Sequence, residues 1–211
     1  MARKHRQREQ SKVGAVDPEH VRTVVLAAGG SVRMGWNKLA APFDGVPLAR
    51  RVVAALVELR PLVVAGPEVA AVLADLDGII LLVTEPTAGP SVSLGLANRA
   101  LPPADTLAVT ACDLPFLDAA AVRAFVGRVP DDADLAYPTV AGTPGHPVVW
   151  SAAARARIAG LAPGQAPMSL RGDPALRVVA LAETDDAYIV DVDTPQAWAD
   201  AERRALRQSR S

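Results

Sequence analysis

The sequence predicts one three-layer α/β domain, with a mostly parallel central sheet and helices on both faces. Three observations lead there. Short continuous apolar runs recur along the chain, and each is followed by a stretch with helical spacing. Half of the 211 residues are apolar but only 4% are aromatic, so the core is built mainly from Ala, Val and Leu. No internal repeat or low-complexity linker divides the body, and a chain of this length can bury a core without disulfide or metal staples.

The elements follow in order. Val24 to Ala27 reads as a first buried strand. Pro47 opens a helical stretch whose apolar residues Leu48, Val52, Ala55, Leu56 and Leu59 share one face. Leu62 to Ala65 is a second strand, stopped by Gly66-Pro67, and Val69 to Leu76 a short helix. Ile79 to Val83 is a third strand and Ser91 to Ala100 a helix. Leu107 to Thr110 is a fourth strand, ending at Cys112-Asp113. Beyond Asp118 come a helix to about Val126, strands near Leu135–Tyr137 and Val148–Trp150, and short strands at Arg177–Leu181 and Tyr188–Val190. A last helix runs from Thr194 to about Arg207. Parallel strands require right-handed crossovers, and ligands in such sheets bind at the carboxyl ends of the strands.

Charge separates a terminal arm from the body. Five cations within residues 1–12 (Arg3, Lys4, Arg6, Arg8, Lys12) face Glu9 alone, a net +4 that leaves −5 for the remainder of a chain whose total is −1. Residues 1–20 therefore read as a disordered basic arm and residues 21–208 as the domain. A body this mildly acidic is not built to bind nucleic acid. The single cysteine, Cys112, allows no intramolecular disulfide and no cysteine-based zinc site. No apolar stretch approaches a membrane span and no secretory core follows the basic start, so a cytoplasmic location is expected.

The loop after the first strand carries the strongest chemical signal. Leu26-Ala27-Ala28-Gly29-Gly30-Ser31-Val32-Arg33-Met34-Gly35-Trp36-Asn37-Lys38 supplies small residues, glycines and two cations. Consecutive backbone N–H groups in such a loop cradle phosphate oxygens. Arg33 adds a planar fork and Lys38 a mobile point charge. A dinucleotide fingerprint fails, because counting from Gly29 the later glycine positions hold Ser31 and Met34. A P-loop fails too: Gly30 and Gly35 have its spacing, but Trp36 stands at the lysine position. A nicotinamide oxidoreductase and a P-loop NTPase are both disfavoured.

The run L-A-A-G-G-S-x-R-M-G-x-N-K, followed by Gly45-x-Pro47-Leu48, resembles the signature of the MobA/MocA-like molybdenum cofactor nucleotidyltransferases. The resemblance extends over roughly residues 22–202. It implies a Rossmann-like fold of the nucleotide-diphospho-sugar transferase type. It also implies transfer of a nucleoside monophosphate from an NTP to a phosphorylated acceptor, with release of pyrophosphate. Molybdopterin is the implied acceptor, and transient contact with molybdoenzyme maturation proteins is implied with it.

Asp113 follows an apolar strand and faces the same crevice. By its residue type it suits either a Mg²⁺ ligand, since Mg²⁺ takes a carboxylate or two plus phosphate oxygens and water, or a cap of the next turn, where Asp118 competes. Cys112-Asp113-Leu114-Pro115-Phe116-Leu117 resembles the family's metal motif, which assigns Mg²⁺ to Asp113. Cys112 reads as a small buried apolar residue. Asp191-Val192-Asp193-Thr194-Pro195 resembles a second metal segment; in a strand Asp191 and Asp193 point to the same face, and Asp193 is preferred over Asp191, although Asp193-Thr194-Pro195 is also a good helix start. Leu26, Ala27, Ala28, Gly29, Gly30, Ser31, Arg33, Lys38, Glu85, Ser93 and Asp113 are the implied nucleotide site, with Arg33, Lys38 and Asp113 catalytic. Gly145-His146-Pro147-Val148 resembles a segment of the cytidylyl-transferring branch and places His146 at the acceptor.

L-A-A-G and G-H-P-V resemble the cytidylyl branch, and C-D-L-P-F and Gly89-Pro90 the guanylyl branch. The balance favours CTP over GTP by a narrow margin. A sugar phosphate or methylerythritol phosphate is the alternative acceptor. A catalytically silent nucleotide-binding module is the alternative of another class, disfavoured by the presence of Arg33, Lys38 and Asp113.

Overall fold

The central apolar strands are buried on both sides, which is why they lack polar alternation. A computed structural model describes residues 14–17, 20–29, 34–85, 89–162 and 164–208. Its main sheet comprises β1 (Val21–Ala27), β4 (Leu62–Ala65), β5 (Ile80–Val83), β6 (Thr106–Ala111), β7 (Leu135–Val140), β8 (Thr143–Pro144), β9 (Val148–Trp150) and β10 (Val178–Glu183). Their order is β10-β7-β9-β6-β1-β4-β5, with β8 turning back on β7. β5, β4, β1 and β6 are mutually parallel, and β10 is parallel to β7. β9 runs antiparallel to both β6 and β7. Two-residue strands β2 (Pro42–Phe43) and β3 (Val46–Pro47) form a separate hairpin around Asp44-Gly45, both at positive φ.

Successive strand residues feed opposite cores. Val25, Val63 and Ala108 join Leu48, Val52, Phe125 and Trp198 on one face. That layer holds α1 (Leu48–Ala55), α2 (Pro67–Leu73), α4 (Ala119–Val126) and α6 (Pro195–Gln208). Val24, Val64, Leu107 and Val109 join Leu94, Ala154 and Ile158 on the other face, under α3 (Gly89–Ala100) and α5 (Ala152–Ile158). No helix among the described residues is long and apolar enough to cross a membrane.

Four features differ from expectation. The first helix stops at Ala55 and tightens into a 3₁₀ turn over Val57–Leu59, closed by Arg60 in the left-handed region. Tyr188–Val190 is not a strand: Asp186–Tyr188 forms a 3₁₀ turn capped by the Asp185 carboxylate, which accepts from the Ala187 N–H. The alternating Ile189 to Asp193 pattern therefore marks a loop with buried Val192, and Asp191 and Asp193 do not share a strand face. The bound chain also starts before Val21, because Val16 donates to the Val129 carbonyl and Asp131 to that of Gly14.

α5 holds the largest buried charge. Arg155 is 2% exposed, and its guanidinium donates to the carbonyls of Asn98, Leu101, Pro102 and Asp105 and to the Asn98 side chain. Asn98, Leu101 and Pro102 lie at or just past the end of α3, where unsatisfied carbonyls and the helix dipole favour a cation.

Chain order places the site. After β5 the chain returns through α3 to β6 on the other side of β1, so the connections diverge between β1 and β6. A crevice opens at their carboxyl ends.

Candidate active site

Three segments far apart in sequence meet in this crevice. The β1–β6 pairing is prolonged by the Cys112 N–H, which donates to the Leu26 carbonyl at 3.1 Å. Asp113 emerges two residues beyond β6. Its carbonyl accepts from the Val192 N–H at 3.2 Å, which fixes the loop carrying Asp193 alongside it. Thr194 caps α6, its hydroxyl accepting from the Ala197 N–H at 3.1 Å. The helix start thus uses Thr194, and the Asp193 carboxylate turns instead to the cleft. Asp118 caps α4 through the Ala121 N–H, so Asp113 is likewise not used as a helix cap.

Lys38 joins the two carboxylates. Asn37 sets its backbone: the Asn37 side-chain oxygen accepts from the Leu39 N–H, and its carbonyl from the Ala41 N–H. The Lys38 ammonium donates to Asp113 Oδ2 at 2.7 Å and to Asp193 Oδ1. Lys38 is 6% exposed. Burial alone would lower its pKa, but attraction to Asp113 and the hydrogen bonds to both carboxylates outweigh it and raise the pKa above the ordinary lysine value. The ammonium stays charged at neutral pH.

The cleft has a volume of about 960 Å³. Leu26, Ala28, Gly29, Lys38, Ser93, Asp113, His146 and Asp193, all expected site residues, line it together. Ala27 is fully buried in the core and is not among the lining residues. Glu85 is exposed past the end of β5 and is not among the lining residues. Asp191 is exposed and does not line the cleft either. Gly30, Ser31 and Arg33 lie outside the described residues.

Cys112 lines the cleft at 1% exposure, and burial pushes its thiol pKa far up, so it is no nucleophile. His146 Nδ1 lies 3.3 Å from the Val109 carbonyl, and burial pushes the ring pKa down, so a neutral imidazole is held there.

Several lining residues were not expected from the sequence, among them Met34, Trp150 and Met168. Trp150 had a usable signal, since it stands at the i+4 position from His146 in an extended segment and shares its face. Met168 lies in a 3₁₀ segment, Pro167–Gly172, that carries no periodic pattern.

Gly145 ties the His146 segment to the Asp193 loop. A Cβ there would lie 2.3 Å from the Tyr188 carbonyl oxygen and 2.8 Å from Ile189 Cγ2. The neighbouring His146 N–H donates to that same Tyr188 carbonyl. Gly145→Ala is expected to destabilise the fold by about 1–3 kcal/mol, as overpacking does, and to lower activity by moving Asp193. Urea unfolding together with turnover would check this, and a variant of unchanged midpoint would refute the contact.

A metal suits this donor set. Two carboxylates converge on one cation, both hard oxygen donors. Among the described residues no group of three or more His, Cys, Asp or Glu could hold an ion. Two hard oxygen donors suit a divalent cation which completes its shell with phosphate oxygens and water.

A family model described as MobA-like NTP transferase domain matches residues 23–178, which includes Lys38 and Asp113 and stops before Asp193. No curated protein matches the chain. The fold is similar to that of the Rv0371c homolog from Mycobacterium sp. strain JC1 (27% identity, 90% of this chain, 98% of that chain, TM-score 0.75). It is similar to Rv0371c of Mycobacterium tuberculosis H37Rv solved in complex with manganese (23% identity, 87% and 98% covered, TM-score 0.71). It is also similar to molybdopterin-guanine dinucleotide biosynthesis protein A of Archaeoglobus fulgidus (17% identity, 88% and 99% covered, TM-score 0.69).

Proposed function

The chain belongs to the MobA-like NTP transferase domain family, and from that premise we propose that it transfers a nucleoside monophosphate from an NTP to the phosphate of molybdopterin, with CTP preferred over GTP. The observation that carries the reading is Lys38, held between Asp113 and Asp193 beside the β1 loop at the point where the connections diverge. The L-A-A-G start of that loop and the Gly145-His146-Pro147-Val148 segment support CTP.

In this reading the backbone N–H groups from Ala28 onward, with Arg33, hold the β- and γ-phosphates. An acceptor phosphate oxygen attacks the α-phosphorus in line. A new P–O bond forms, the bond to the β-phosphate oxygen breaks, and pyrophosphate leaves with the electron pair. The attacking group is already an anion, so no general base is needed. Lys38 exchanges a carboxylate oxygen for an α-phosphate oxygen as charge develops there. The protein contributes position and charge stabilisation, which dominate phosphoryl-type transfers. Asp113 and Asp193 would hold Mg²⁺, which supplies charge neutralisation and polarises the phosphate when bound.

Pyrophosphate release tests the reaction, with CTP or GTP offered against molybdopterin, a hexose phosphate and methylerythritol phosphate. The expected result is release with CTP and molybdopterin that chelation abolishes. Release with another acceptor would reassign the substrate. No release with any acceptor would favour a silent nucleotide-binding module.

A further inference from the structure

Lys38 stands where the proposed reaction also needs its divalent ion. The ammonium donates to Asp113 Oδ2 at 2.7 Å and to Asp193 Oδ1, so one cation already bridges both carboxylates. It is nearly closed off from solvent: the Lys38 side chain is 7% accessible, against 21% and 30% for its two partners. Like charges set side by side in such a spot are poorly screened. An ion on these two oxygens and an ammonium left between them therefore exclude each other.

The surroundings decide which of the three groups can move. The carboxylates are placed by the main chain and not by the lysine. The Val192 N–H donates to the Asp113 carbonyl and the Cys112 N–H to that of Leu26, so both acidic segments stay beside β1 whatever the ammonium does. The Lys38 backbone is held as well, by the Asn37 turn and by the Ala49 N–H, which donates to the Leu39 carbonyl. What is left is rotation about the bonds of the lysine stem. Lys38, Ala28 and Gly29 line the same cleft, so the ammonium can swing toward the glycine loop. A buried ammonium gives up a carboxylate only for another anion.

We infer that Lys38 is a built-in counter-ion, which keeps a divalent ion off Asp113 and Asp193 until a nucleotide's phosphate takes the ammonium over. This rests on the transferase reading for the anion and for the two carboxylates as metal ligands. The hand-over starts when the nucleotide binds and is completed as charge develops on the α-phosphate. Nucleotide and ion are then cooperating ligands, each raising the other's affinity by the same factor.

The test uses Mn²⁺, which takes the same oxygen ligands as Mg²⁺, followed by the water-proton relaxation it enhances when held on a macromolecule. Wild type, Lys38→Met and Lys38→Leu are titrated without nucleotide, then with a saturating non-reactive CTP analogue and, beside it, the GTP analogue. The leucine variant serves if the methionine variant folds poorly. Without nucleotide, loss of the ammonium should tighten Mn²⁺ binding about tenfold or more, within the usual span of coupling between sites. With an analogue bound, the gap between wild type and variant should shrink to about threefold or less, as expected when the two effects are coupled. Asp113→Asn in the methionine background should abolish the gain. Equal Mn²⁺ affinity in wild type and variants without nucleotide, or a gap that both analogues leave unchanged, would overturn the inference, while Mg²⁺-dependent pyrophosphate release would leave the transferase reading standing. A gain that survives Asp113→Asn would overturn it too, since the ion would lie elsewhere. Mn²⁺ bound by no form, analogues included, would remove the metal assignment and the inference with it. The expected Mn²⁺ pattern without pyrophosphate release from any acceptor would sink the transferase reading and uphold the counter-ion.

Discussion

Replacing Lys38 with methionine should lower kcat for nucleotidyl transfer by about 10²–10³-fold, the usual effect of removing one preorganised donor from a developing oxyanion. Methionine matches the length of the buried stem, so packing against Leu39 and the Asn37 turn survives. What disappears is the charge between Asp113 and Asp193. Both carboxylates retain some exposure, with side chains 21% and 30% accessible, so water can solvate them and the fold should hold. Lys38→Arg is not expected to rescue, because a planar guanidinium needs a different shape from a point ammonium in a nearly closed site. Single-turnover rates with circular dichroism as the folding control would check this. A methionine variant that keeps a tenth of the wild-type rate would remove Lys38 from the reaction.

Arg155→Ala should produce the largest loss of stability, about 3–5 kcal/mol, the range for removing one member of a buried charged network. Its guanidinium serves four backbone carbonyls, and alanine would remove the shared donor of all four and leave a cavity where the buried guanidinium lay. Arg155→Lys should recover only part, since an ammonium has three donors and no fork. The network lies at the amino end of β6, remote from Asp113. The folded fraction of either variant should therefore keep the wild-type nucleotide affinity. Guanidinium unfolding with nucleotide titration separates the two effects, and a loss below about 1 kcal/mol would show that the carbonyls find other partners.

Much of the architecture was legible because it is written in local pattern. β1, β4 and β6 contain the apolar runs Val24–Ala27, Leu62–Ala65 and Leu107–Val109, each with Gly, Pro or Asp a few residues beyond, and a parallel sheet with helices on both faces follows from them. The direction of β9 was not legible, since three residues carry no sign of antiparallel pairing to β6 and β7. Ile189 to Asp193 alternates like a strand, yet it has no sheet partner and serves as a loop that delivers Asp193. The Asp44-Gly45 hairpin and the Ser151 cap of α5 were readable from turn and cap chemistry and went unread. Arg155 was not readable, because a cation on a helix looks solvated until the end of another helix is laid over it.

The candidate site was legible in its members more than in its wiring. Lys38 and Asp113 stood out through glycine-loop and strand-end logic. Sequence reasoning gave Lys38 to phosphate, whereas the structure holds it on two carboxylates 75 and 155 positions away. Such contacts depend on sheet order, which no local window contains.

Thermal unfolding with CTP, GTP, ATP and UTP, each with and without Mg²⁺, on wild type and Asp113→Asn, tests the central claim most directly. A ligand that binds only the folded state adds about 2.7 kcal/mol at a hundredfold excess over Kd, or about 5–10 °C in a domain of this size. The account predicts that rise with CTP, dependent on Mg²⁺ and absent in the variant. A rise indifferent to both Mg²⁺ and Asp113, or no rise with any nucleotide, would contradict it.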